Sequence, residues 1–398
     1  MFQRSKLSVV ATVCCLFCGA MATGAENPAS SDVAVAKSLS KAFQQVAEVA
    51  SPSIVSLEVR VKPGLGWTWW QGGAAVNDPL SNANRGADWI RRPAPQLDAS
   101  RLTHVGSGFL IDDKGTILTA FHVVEHAEEV HVRTHEGHEF LAKTIMTDPQ
   151  SDVAILRIPP ADDLKPLRFG NSDKLELGEW VVAVGNPYNT GVILTPGIIS
   201  TKGKGPAVLE HADFLETTAV INLGNSGGPL LNLDGEVVGI NTLFQHPSRV
   251  YDGIHFAVPS NTAKWVASEL LDHGKVHRSF LGVNVQELDF KYARQHKVIP
   301  WSGVLITGVH ANSAADDAGI HEGDTLIEYD GHRILTARNL QRHVERTAPG
   351  TTIEVVMSRN GQRQQLSVKV REHVIPTETL FPKTASPAEN KSDVPTRC

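Results

Sequence analysis

Cysteine is nearly absent where it could cross-link anything. The 398 residues hold four, of which Cys14, Cys15 and Cys18 crowd near the N-terminus and Cys398 is the last residue. Without that leader no internal disulfide can form, so a disulfide framework is excluded and stability has to come from packed cores, with Cys398 left as a free thiol. A positive field is missing too. Lys and Arg number 37 against 43 Asp and Glu, a net charge of −6, and the basic residues are scattered rather than massed, which excludes nucleic acid as an expected partner. At 41% hydrophobic the chain has enough apolar residues for ordinary cores, so disorder throughout is excluded, and its length allows two or three domains.

The first 25 residues read as a secretory signal: Arg4 and Lys6, an apolar run from Leu7 to about Ala22, then small residues that allow cleavage after Ala22 or Ala25. The alternative is an uncleaved anchor, against which the shortness of the run argues. Residues 26–268 form a first unit. Small apolar residues at helical spacing in AVAKSLSKAFQQVAEVA precede the strand SIVSLEVRV, and residues 62–103, rich in Gly, Pro, Asn and Trp, read as a surface insertion carrying Trp67, Trp69 and Trp70. From Val105 to Pro259 short strands recur between turn signals, including DDKG and Asp234-Gly235, in the rhythm of a pair of β-barrels. A helix follows, with Ser260 as its expected cap and Gly274 as its stop. Residues 269–278 read as a linker, 279–372 as a second compact unit of strands and two helices, and 373–398 as a disordered tail.

Two motifs carry chemistry. HVVEH, His122 to His126, fits the H-x-x-E-H pattern of a zinc peptidase, but it also places a histidine at the end of an apolar strand, where a serine hydrolase keeps its base. NLGNSGGPLL, Asn222 to Leu231, favours the second reading. Its glycines permit a turn that exposes the Ser226 hydroxyl and aims the amides of Gly224 and Ser226 into one space, an oxyanion hole worth roughly 2.7–4 kcal/mol per donor. Asp152, just ahead of the strand VAILRI, supplies the carboxylate that orients the base. The chain order His122, Asp152, Ser226 is that of the chymotrypsin arrangement. His131, His135 and His138 crowd nearby without a recurring ligand spacing, so neither a metal nor another cofactor is expected.

Together, GSGFLIDDKGTILTAFHVV, SDVAILRI, WVVAVGNPYNTGVILTPGIIS and INLGNSGGPLLNLDGEVVGINT resemble the HtrA (Deg) family of trypsin-like serine proteases over residues 38 to 372. The segments FLGV and SGVLITGVHANSAADDAGIHEGDTLIEYDGHRI resemble the circularly permuted PDZ domain such proteases carry, here in one copy. The resemblance implies a mainly β fold, a trypsin-like double β-barrel followed by a PDZ domain. It implies an ATP-independent endopeptidase of unfolded or misfolded proteins in a bacterial periplasm, regulated by hydrophobic C-terminal peptides at the PDZ domain. It also implies His122 as base, Asp152 as orienter, Ser226 as nucleophile, Gly224 and Ser226 as oxyanion donors, and a homotrimer in which Phe43 stands for the family's N-terminal aromatic. The remaining alternative is a non-proteolytic PDZ chaperone or scaffold, against which the filled triad positions argue. Thr218 and Leu223 depart from the family's usual Asp and Pro and bear on local loop geometry.

Three finer expectations follow. Asn225 stands where zymogen-activated relatives have an aspartate; being neutral, it needs no newly cut ammonium partner, so ordering of loops near 185–205 and 240–252 is the expected activation. The specificity pocket, expected from Val220, Ile221 and Ile254, has no acidic residue to pair with a cationic side chain, which favours cleavage after small or medium aliphatic residues. In the second unit the turn Ser279, Phe280, Leu281, Gly282 directs amides at a peptide carboxylate, and the strand from Val283 to Val285 pairs with the peptide. Arg278 either adds charge there or is a solvated linker residue.

Overall fold

The computed structural model describes residues 28–61, 103–161, 164–187, 191–204, 213–222, 224–243, 253–288, 293–294 and 303–373. The signal segment, the insertion with its three tryptophans, Leu223 and the tail lie outside them.

Helix α1 (Pro28–Ala50) leads through a 3₁₀ turn into strand β1 (Ile54–Val61), where alternation gives way to burial of nearly every side chain. The first sheet has seven strands. In space the order is β5 (Glu139–Leu141), β4 (Ala127–Arg133), β1, β2 (Thr103–Leu110), β3 (Thr116–Thr119), β7 (Val153–Arg157) and β6 (Thr144–Asp148), all neighbouring pairs antiparallel. The DDKG signal is the β2–β3 turn: the Asp112 carboxylate accepts from the amides of Lys114 and Thr116 at 3.0 and 2.9 Å, and Gly115 takes φ +83°.

The second sheet closes into a six-stranded barrel of β10 (Asp213–Thr217), β13 (His255–Pro259), β12 (Val237–Thr242), β11 (Pro229–Leu231), β8 (Trp180–Gly185) and β9 (Ile193–Lys204). Closure leaves no unpaired edge, and β12 is buried along its whole length. Two cores lie here, one shared by the first sheet, α3 (Ser260–His273) and one set of barrel side chains such as Val184, Phe214 and Phe256, the other built from barrel residues including Val181, Ile199 and Leu215.

Helix α3 stops at Gly274, whose φ of +74° and bond from its amide to Leu270 O at 2.9 Å form a left-handed C-cap. Its start differs from the sequence expectation. Ser260 does not cap the helix; its hydroxyl donates to Gly170 O at 3.0 Å, and the Asn261 amide is satisfied by Ser172 Oγ at 3.1 Å. The cap is thus supplied from a segment about ninety residues away in sequence, and local pattern cannot reveal such a partner.

The second unit is a sheet of β15 (Val283–Glu287), β16 (Val304–Val309), β17 (Thr325–Tyr329), β19 (Thr352–Arg359) and β20 (Gln362–Lys369), with β18 (His332–Arg333) hung on β17. A short helix, Ala314–Asp317, and a longer one, Ala337–Arg346, complete it around a separate core. Strand β14 (Ser279–Phe280) pairs with β21 (Arg371–Glu372), so the first and last strands of the unit meet.

Candidate active site

Asp152 closes the 3₁₀ turn Pro149–Ser151 in the left-handed region, φ +53°, so that its carboxylate turns back toward α2 (Phe121–Val124). There it meets His122 twice: Oδ1 accepts from the His122 backbone amide at 2.9 Å, while Nδ1 of the ring lies 2.8 Å from Oδ2 and 3.0 Å from Oδ1. The other ring nitrogen, Nε2, lies 2.6 Å from Ser226 Oγ. Asp152, Ser226 and His122 are 1%, 2% and 5% exposed, so the array is nearly dry and its hydrogen bonds are little diluted by water. With the carboxylate holding the Nδ1 proton, Nε2 is the unprotonated base that faces the serine hydroxyl.

The serine turn is held by two residues whose roles are not evident in the sequence. Ser107, inside the Gly106-Ser107-Gly108 run of β2, donates from its hydroxyl to Gly224 O at 2.7 Å and accepts from the Asn186 amide at 2.8 Å, while its own amide donates to Ser226 O at 2.9 Å. Asn241 Nδ2 reaches the carbonyls of Val184, Asn225 and Pro229 at 3.1–3.2 Å. Gly227, at φ +81°, admits no side chain, because a Cβ would stand 2.2 Å from Thr119 Oγ1 and 2.4 Å from Ser107 O. The GSG spacing is the only signal that could point to Ser107; Asn241 carries none.

Asn225, 4% exposed, uses both ends of its amide: Oδ1 accepts from the Asn222 amide at 2.8 Å and Nδ2 donates to Val220 O at 2.9 Å. A carboxylate could make only the first of these bonds. The oxyanion expectation meets a difference. The Ser226 amide donates to Asn222 O at 3.2 Å, as does that of Asn225, and Gly224 lies against Pro187. For the Ser226 amide to face a substrate oxygen, the turn from Asn222 to Ser226 has to reorient.

The three residues expected to line the specificity pocket differ in exposure. Ile221 is 1% exposed within the barrel core, whereas Val220 and Ile254 are 44% and 39% exposed. The inward alternation of TAVIN packs Ile221 into the barrel core.

In the second unit Leu281 is buried in the core and Gly282 takes φ +86°, where a Cβ would clash with Ser313. Phe280 stacks on His373 at 4.9 Å between ring centroids and meets His310 edge-on. Val283 begins β15, which pairs with β16 on one side only among the described residues, so an edge stands open beside the helix Ala337–Arg346. Glu287 Oε1, at the end of β15, accepts from the Ala337 amide at 2.9 Å.

Arg278 is neither a carboxylate ligand for a peptide nor a solvated linker residue. Its guanidinium is buried, bonded to Asp148 Oδ1 and Oδ2 at 3.0 and 2.6 Å and to Ser151 Oγ at 2.7 Å, and it stacks over Trp265. A planar fork matches a carboxylate bidentately, and a buried one needs such a partner, which explains the placement. The adjoining helix adds to this joint: Arg338 and Arg342 pair with Asp213 and Asp173, and Arg346 donates to Thr262 Oγ1.

HVVEH does not converge as a metal site. His122 belongs to the serine array, and His126, at φ +59°, turns its ring to within 3.6 Å of the Glu125 carboxylate.

A seven-stranded sheet beside a closed barrel carrying this buried His, Asp and Ser array, followed by a unit with an open peptide edge, defines a trypsin-like serine protease with a PDZ domain. Residues 106–240 match the trypsin-like peptidase domain family and residues 279–370 the PDZ domain family. The chain is 36% identical over 390 residues to a probable periplasmic serine endoprotease, DegP-like, of Chlamydia trachomatis, covering 95% of this chain and 76% of the relative. It is 33% identical over 349 residues to the periplasmic pH-dependent serine endoprotease DegQ of Escherichia coli, covering 84% and 76%. A solved HtrA-type protease, AlgW with a tripeptide, superposes with TM-score 0.66 at 28% identity over 84% of this chain and 98% of its own. The chain belongs to the HtrA family of serine proteases.

Proposed function

We propose that the chain is an ATP-independent serine endopeptidase of unfolded or misfolded proteins, exported to the periplasm by its N-terminal segment and regulated by C-terminal peptides at the PDZ domain. The observation that carries this reading is the 2.6 Å approach of His122 Nε2 to Ser226 Oγ with Asp152 behind the ring. Ser226 attacks the scissile carbonyl as His122 takes the hydroxyl proton; the resulting imidazolium is stabilised by Asp152 and then protonates the leaving amine. Once the Asn222–Ser226 turn has reoriented, the Gly224 and Ser226 amides receive the oxyanion. Val220 and Ile254 favour small or medium aliphatic side chains before the cleaved bond.

A bound C-terminal peptide would extend the sheet at β15, with its carboxylate at the Phe280, Leu281 and Gly282 turn. The helix beside that edge is tied to the protease unit through Arg338 and Arg342, which gives peptide binding a physical route to it. The trimer is carried by resemblance. Phe43, edge-on to the partly exposed Trp180 at 5.6 Å, would belong to the shared surface.

No helix among the described residues is long and apolar enough to cross a membrane. The test is degradation of casein by the purified full chain. Hydrolysis that survives a chelator and is lost in Ser226→Ala supports the reading; hydrolysis unchanged by that substitution sinks it.

A further inference from the structure

The end of α3 holds a cluster that the protease chemistry does not use. Glu269 and His273 lie four residues apart and so share a face of the helix. After the left-handed cap at Gly274 the chain doubles back, and His277 returns to the same face: its backbone amide and its Nδ1 lie 3.2 and 3.1 Å from Glu269 Oε2. The rings of His273 and His277 stand 5.1 Å apart between centroids, at 76° to one another. One ligating atom from each of the three side chains falls within 4.8 Å of the other two, and among the described residues no other group of three does so.

We propose that Glu269, His273 and His277 form a binding site for a divalent transition metal of the zinc class. Two neutral imidazoles and one carboxylate are a donor set that suits Zn²⁺, with bonds of about 2.0–2.2 Å and a fourth position left to water. Ligands at those lengths in a tetrahedron stand about 3.3–3.6 Å apart. The Glu269–His277 pair, at 3.1 Å, lies within a few tenths of an ångström of that spacing, and His273, exposed at the helix surface, closes the remaining gap by rotating its side chain. Without the metal, the 3.1 Å contact of His277 Nδ1 with Glu269 Oε2 holds the same two groups together.

The position gives the site a consequence. Glu269 and His273 belong to the helix that closes the protease unit, and His277 immediately precedes Arg278, the clamp to Asp148 at the joint with the PDZ unit. A metal here staples the departing chain to α3.

The test uses the full chain and Zn²⁺ alone, titrated in competition with a chromophoric chelator, with Co²⁺ as a spectroscopic probe. The expected result is one high-affinity Zn²⁺ per chain, a rise in Tm with the metal, and affinity lower by roughly tenfold or more in His273→Ala and in His277→Ala. His273→Ala removes an exposed side chain, so its metal-free Tm should match the wild type, and the visible Co²⁺ bands of the wild type should be absent from it. Absence of stoichiometric binding by the wild type, or variants that bind as tightly as the wild type, would overturn the proposal.

Discussion

Arg278 and Asp148, 130 residues apart in sequence, meet in a buried ion pair with two hydrogen bonds of 3.0 and 2.6 Å. One comes from the segment that leaves α3 and the other from the end of β6, so the pair fixes the second unit against the first. Removing either partner strands the other charge away from water, a cost of about 3–5 kcal/mol. Arg278→Ala and Asp148→Ala should each lower the denaturation midpoint by a comparable amount. The double variant should be less unstable than the sum, since it removes both charges. Additive losses in a double-mutant cycle would show that the two side chains are not coupled.

His122 and His126 share one short motif and should differ sharply on substitution. His126→Asn keeps a residue that tolerates positive φ, and should leave casein hydrolysis within about twofold and stability within about 0.5 kcal/mol. His122→Ala should reduce kcat by about six orders of magnitude. Comparable losses in the two variants would mean that the motif acts as a unit.

Asn225→Asp replaces an amide that both accepts and donates with a group that only accepts. The carboxylate would face Val220 O across the space now bridged by a 2.9 Å hydrogen bond, with a buried polar loss of about 1–3 kcal/mol or more. Lower Tm together with lower kcat/KM is expected, and both are measurable on one preparation. An Asp variant as active and as stable as the wild type would contradict the structural role given to this amide.

Glu345, mostly buried beside the joint, has its carboxyl held above the ordinary value chiefly by burial, against the opposing hydrogen bond from Gln341 and the charge of Arg278. A group whose folded pKa is raised contributes stability below its unfolded pKa and loses it as pH rises through the folded one. The contribution should therefore fade as pH rises above about 4.5. Glu345→Gln should remove this part of the slope and raise Tm at neutral pH relative to the wild type. Parallel Tm profiles for the two proteins across that range would contradict the account.

Much of the fold and the core of the site is legible in the amino-acid string, for physical reasons that also explain what is not. The barrel rhythm shows itself through turn chemistry such as Asp112 and Gly115, which is local. His122, Asp152 and Ser226 stand out because a glycine-rich turn around a serine hydroxyl has few other uses. Long-range partners leave no such trace: Arg278 resembles a linker residue because Asp148 is far away in sequence, and Ser260 resembles a cap because nothing nearby points to Gly170. Ile221 reads as a pocket wall from its place before the serine turn, while its burial in the barrel core comes from partners distant in sequence. The Glu269, His273, His277 spacing is visible in the string, but only the chain reversal at Gly274 brings the third residue home.

Labelling of Ser226 by a fluorophosphonate tests the central claim most directly, because the reagent reacts only with a serine whose proton is taken by a positioned base. The wild type should be modified on Ser226 alone, faster in the presence of a hydrophobic C-terminal peptide, and His122→Ala should be labelled orders of magnitude more slowly. Labelling at another residue, or equal rates in the two proteins, would contradict the account.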